Sequence, residues 1–211
     1  MARGSDLTAA ARIRDAALRR FAERGVAATS IRDVAKAAGV SPGLVQHHFR
    51  SKARLRQAVE DYVVRRAIEA FGQPTGAGSA IESNVEMSAR ISAFIRANPA
   101  VFAYVGRSIL EGDAAGLELF ERFLALARAQ LDRLVAGGFL RSGLDRDWTA
   151  LHVVLIDVGA YLLEPALSRY LGEPLLSERG LKRMEQATEA LFLKGIYRPE
   201  ERVPRRPRRR R

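Results

Sequence analysis

Three histidines are the natural places to look for chemistry in this 211-residue chain: His47 and His48, adjacent within AAGVSPGLVQHHF (37–49), and His152. Adjacent residues on a helix point about 100° apart, so His47 and His48 do not converge on one ion. The chain has no cysteine, and His152 lies far along it. No metal site is expected. His152, Asp157 and Glu164 share one apolar stretch, but 152 and 157 stand off-face for an acid–base pair on a helix. The sequence has no nucleophile elbow and no phosphate loop. It therefore reads as a protein that is not an enzyme and needs no cofactor.

The same stretch makes better sense as a reader of DNA. Gln46 matches the N6/N7 edge of adenine, Leu44 suits a thymine methyl, and His47 suits a base or a phosphate. Gly43 would let the backbone come close to a duplex, beside Ser41 and Pro42 at the helix start. Thr29, Ser30, Arg32, Arg50 and Lys52 are candidate phosphate donors, helped by helix N-termini.

Those side chains need two short helices and a tight turn to hold them. Thr29 or Ser30 caps a helix over about 30–38, with Ile31, Val34, Ala35 and Ala38 on one stripe. Gly39 ends it. Ser41 caps the next, and Pro42 takes the first position, where a missing N–H costs nothing. The AGVS turn between them is the helix-turn-helix arrangement. Ala35 must be small where the helices cross, Gly39 must tolerate a positive φ, and Val45 must pack beneath the turn.

Charge supports this reading. The net charge is +11, with +8 on residues 1–56 and +6 on residues 198–211, which leaves −3 on 57–197. A basic head on a mildly acidic body points to a polyanionic partner, double-stranded DNA. The hydrophobic fraction of 47% indicates a globular chain. No apolar run is long enough for a membrane span. MARGSDLTAAARIRD has no apolar centre of the signal-peptide kind, so a cytoplasmic location is expected.

Helical periodicity continues throughout. A first helix covers about 8–24 and a long fourth runs from a Ser51 cap to about Phe71. QPTGAGSA (73–80) reads as a loop. Further helices cover about 81–97, 100–111, 116–136, 147–164 and 178–194. The expected fold is all-α with about nine helices. The expected domains are a helix-turn-helix head over 1–52, a larger ligand-binding and dimerisation body over 53–197, and a disordered basic tail over 198–211. Trp148, Leu151, Leu155, Val158 and Leu162 make the 147–164 helix apolar on more than one face, as if buried against both its own core and a partner.

TSIRDVAKAAGVSPGLVQHHFRSKARLRQAV (29–59), with ARIRDAALRRFAERGVAATS before it, resembles the DNA-binding domain of the TetR/AcrR family of transcriptional regulators. The family often has an aromatic where Gln46 stands. The resemblance implies a homodimer whose last two long helices pair across a twofold axis, with Met184 and Leu191 contributing from the last. It implies recognition helices about one DNA turn (~34–36 Å) apart, hence a palindromic operator. It also implies a body pocket for an effector, with Phe94, Phe102, Tyr104, Phe123, His152, Ile156 and Tyr161 as candidate lining; Tyr104, His152 and Asp157 are its notable polar groups. The apolar bias suggests a hydrophobic or aromatic small molecule. Repression by promoter occupancy, relieved when the effector tilts helix four, is the expected mode. The alternative is an architectural, effector-independent DNA-binding protein of the same fold.

Overall fold

The computed structural model describes residues 4–73 and 80–195. Among them are ten helices: α1 (Gly4–Arg24), α2 (Ile31–Ala38), α3 (Pro42–Phe49), α4 (Lys52–Phe71), α5 (Ala80–Ala97), α6 (Pro99–Glu111), α7 (Ala114–Ala136), α8 (Arg146–Leu162), α9 (Glu164–Leu171) and α10 (Glu178–Gly195). No strand occurs among the described residues. The basic tail of 198–211 and most of the 73–80 loop lie outside them.

The count exceeds the expected nine by α9. Pro165 has no N–H with which to continue the α8 ladder. Leu163 closes α8 by donating to the Gly159 carbonyl at 3.0 Å, and the axis turns by 77° into α9. The proline opens a helix, as Pro42 does. No single described helix is long and apolar enough to cross a membrane.

One hydrophobic core runs from the head into the body. Ile13 and Phe21 of α1 are buried with Val34, Val45, Leu55, Val59, Val63, Tyr104, Val105 and Leu119. α1 packs on α6 as well as on α2 and α4. Arg107 of α6 donates to the carbonyls of Ala22 (3.0 Å) and Glu23 (3.3 Å), satisfying groups that the end of α1 leaves open. A second cluster, Leu131, Leu134, Leu140 and Ala150, joins α7 to α8. α6 and α7 meet backbone to backbone at Gly116, where an added Cβ would lie 1.9 Å from the Ser108 carbonyl oxygen.

α7 clamps α4 along its length. Arg56 pairs bidentately with Asp113, the N-cap of α7. Asp61 accepts from Arg122 at 3.0 Å. Arg133 donates at 2.9 Å to the carbonyl of Gly72, at the end of α4.

Candidate nucleic-acid interface

Local chemistry builds the α2–α3 unit. Ser30 and Asp33 form a reciprocal capping box, which satisfies two N–H groups that the helix start leaves open. The Ser30 hydroxyl and N–H hold the Asp33 carboxyl below its usual range. Gly39 adopts φ 65°, ψ 41°. Its N–H donates to the Lys36 carbonyl (3.3 Å) and that of Val40 to Ala35 (3.0 Å), the paired closure of a left-handed C-terminus. Ser41 accepts from the Leu44 N–H at 3.2 Å. Ala35 and Val45 are buried beneath the turn.

α3 leaves the body as a projecting edge. Ser41, Pro42, Gly43, Gln46 and His47 are exposed, Leu44 is partly buried and Arg32 is exposed on α2. An added Cβ at Gly43 would meet only Ser41 Oγ, at 3.9 Å, so the chain's own packing does not require glycine there. His48 turns inward beside Phe49, with ring centroids 6.2 Å apart. Arg50 (φ 56°, ψ −38°) is the only non-glycine with positive φ among the described residues. It sits at the apex of a γ-turn closed from the Ser51 N–H to the Phe49 carbonyl.

Two expected phosphate donors have other work. Thr29 is 1% exposed, and its hydroxyl donates to the Gly25 carbonyl at 2.8 Å. It locks the α1–α2 corner and has no surface to offer a phosphate. Lys52 spreads its ammonium over the carbonyls of Val26 (2.9 Å), Ala27 (3.2 Å) and Thr29 (3.2 Å). All three donors are spent on tying α4 to the α1–α2 loop. Ser30 keeps its hydroxyl in the capping box, at an exposed helix start.

Residues 13–59 match the family described as bacterial regulatory proteins, tetR family, and residues 97–197 match a tetracyclin repressor-like C-terminal domain. The HTH-type transcriptional regulatory protein RaaS of Mycobacterium tuberculosis is 33% identical over 162 residues, 76% of this chain and 73% of that protein. The chain belongs to the tetR family. The HTH-type transcriptional repressor KstR2 of Rhodococcus jostii is 31% identical over 61% of this chain and 62% of its own. A solved structure of a Clostridium perfringens putative fatty acid metabolism regulator superposes with TM-score 0.73 at 19% identity, covering 89% of this chain and 100% of that one, and shows the shared fold. As a tetR-family member the chain is a helix-turn-helix transcriptional regulator that binds DNA; the family and its named relatives are regulators and not enzymes.

The body of this tetR-family chain contains an apolar cavity of about 110 Å³ between α4, α5, α6, α7 and α8. Of the expected lining, Phe94, Phe102 and Phe123 border it. Asp157, expected among its polar groups, borders it too, and Phe71, Met87 and Val153 do so outside that expectation. Four candidates do not line it. Tyr104 is fully buried nearer the head, against Phe21 (centroids 6.3 Å apart) and donating to Glu60 Oε1 at 3.0 Å; burial pushes its hydroxyl above the ordinary range. His152 is exposed and stacks on Trp148, with centroids 5.7 Å apart. Ile156 is partly buried away from the lining. Tyr161 donates to the Pro99 carbonyl at 3.1 Å and borders an open groove between α6, α8 and α9. His152, Ile156 and Tyr161 lie off the face of α8 that turns Val153, Val154, Asp157 and Val158 to the cavity.

The outward stripe of α8 is Trp148, His152, Leu155 and Gly159, at helical spacing, continued by the C-cap Leu163. Trp148 is 56% exposed and Leu155 52%. Leu191 of α10 is also exposed, while Met184 and Leu151 are partly buried. Two expected interface residues face inward instead. Val158 borders the cavity, and Leu162 packs on α6, 2.6 Å from where a Cβ of Gly106 would stand.

Sequence reasoning missed the Arg56–Glu60–Tyr104–Asp113 network. Arg56 Nε donates to Glu60 Oε1 at 2.8 Å, and the Arg56 guanidinium holds the Asp113 carboxyl below its usual range. Its members are spread over α4, α6 and the N-cap of α7; only Arg56 and Glu60, four apart on α4, have a local spacing, and nothing along the chain joins them to Tyr104 or Asp113.

Proposed function

We propose that this chain is a ligand-responsive repressor that binds a palindromic operator as a homodimer and is released by a small apolar or aromatic molecule. A single helix, α4, supports the reading most directly. Its first residue, Lys52, is tied to the head, and Phe71 near its other end walls the body cavity. A molecule occupying the cavity must be accommodated where α4 abuts α7, and α4 carries that movement to α3. The ligand shifts the balance only by its differential affinity for the two positions of α4. Residues 1–52 act as the reading head and 53–197 as the sensing and pairing body. Ser30, Arg32, Ser41, Pro42, Gly43, Leu44, Gln46 and His47 form the DNA-facing surface. The exposed stripe of α8 with Leu191 forms the pairing surface.

The test is selection of bound fragments from random DNA, followed by footprinting. The expected result is an inverted repeat whose half-sites lie ~34–36 Å apart, protected as one discrete site. Continuous protection without a preferred sequence would favour the architectural alternative.

A further inference from the structure

Among the described residues, one ionisable group lines the cavity described above. Asp157, partly buried, projects from α8 among rings and aliphatic side chains, and its carboxylate has no hydrogen-bond or ion-pair partner among the described residues. The other notable polar side chain is Gln130, whose Oε1 already accepts from Arg133 Nε at 3.1 Å. Burial alone pushes the Asp157 carboxyl up to about 7, with no compensating cation. A carboxylate in such a setting is costly when ionised and gains most from an incoming positive charge.

The rings around it favour the same charge. Phe71 and Phe94 meet edge-on with centroids 5.0 Å apart, and Phe94 and Phe102 at 5.7 Å. Aromatic faces attract ammonium groups. Among the described residues no lysine, arginine or histidine borders the cavity, so none of them would meet an anionic headgroup there. Size narrows the choice further. An engineered protein cavity of roughly 150 Å³ takes up benzene, so the partly open space of about 110 Å³ limits the enclosed part of a ligand to one small ring or a short branched chain, with any remainder at the cavity mouth.

The geometry points to a compact, protonated primary amine bearing one ring or a short alkyl group as the effector, its ammonium held by Asp157. This rests on the cavity being the effector site. The amine lies with its ammonium against the carboxylate and its apolar part among Phe71, Phe94 and Phe102. Charge pairing inside the cavity replaces the hydration that both groups lose.

Isothermal titration of the full chain with benzylamine, benzyl alcohol and benzoate at about pH 8, where carboxylate and ammonium are both ionised, separates the possibilities. The expected result is benzylamine binding about tenfold or more tighter than benzyl alcohol, with benzoate giving no heat. Asp157→Asn should erase that preference while still taking up benzyl alcohol. Phe94→Trp, which fills the space, should weaken both. Benzyl alcohol binding as tightly as benzylamine, or a preference surviving in Asp157→Asn, overturns the amine assignment but leaves the cavity as effector site. No heat from any of the three, with the thermal transition of the chain intact, overturns the cavity as effector site and the amine with it.

Discussion

Replacing Leu155 by alanine measures whether the outer stripe of α8 is a pairing surface. Leu155 is 52% exposed in the single chain. Burying a leucine side chain completely is worth about 1.5–3 kcal/mol, so a partner covering the exposed half adds about 1 kcal/mol per copy. Twofold symmetry repeats the contact, giving about 2 kcal/mol per dimer. At 1.4 kcal/mol per decade that weakens dimerisation about 30-fold. Each protomer should keep its fold but lose about 1 kcal/mol of its own stability, because the substitution also removes the half of the side chain already covered in the single chain. Sedimentation equilibrium over a concentration series reads the constant, and circular dichroism confirms helicity. A dimer whose dissociation constant is unchanged in Leu155→Ala would refute the placement of the twofold axis on this stripe.

Gly116→Ala places a Cβ 1.9 Å from the Ser108 carbonyl oxygen and should cost about 1–3 kcal/mol, lowering Tm by several degrees in thermal denaturation. Arg50→Gly removes a side chain from a left-handed position and should raise stability by about 1 kcal/mol, with Tm rising by about 2–4 °C; a falling Tm would show that the turn is not strained. Asp157 has its folded-state carboxyl raised to about 7, so the folded state holds its proton more tightly than the unfolded one. The wild type therefore loses stability as pH rises from about 4 to about 7, and Asp157→Asn should overtake it by about 1–3 kcal/mol at pH 8 in urea titrations.

The parts of the fold legible in the sequence are those fixed by near neighbours. Ser30, Gly39, Ser41 and Pro42 act within three or four positions of themselves, so the α2–α3 unit follows from reading along the chain. Pro165 carries the same kind of signal as Pro42 and would have revealed α9. Thr29 and Lys52 could not be assigned in this way. Lys52 is fixed by carbonyls 23 to 26 positions away, and Thr29 is buried by a corner that exists only once α1 has packed. The phase of α8 was ambiguous because its apolar residues cover more than one face, which is why Val158 and Leu162 turn inward while Leu155 turns out. Tyr104 has the character of a pocket residue, and only its partner Glu60, 44 positions earlier, fixes it nearer the head.

The most direct test of α3 as the reading element compares Gln46→Ala and His47→Ala with wild type on the selected operator and on a scrambled duplex at one salt concentration. Both side chains are exposed on α3 and outside the core. Each substitution should weaken operator binding by ~1–3 kcal/mol and leave scrambled DNA unaffected. An equal loss on both duplexes, or none on either, would contradict α3 as the element that distinguishes one sequence from another.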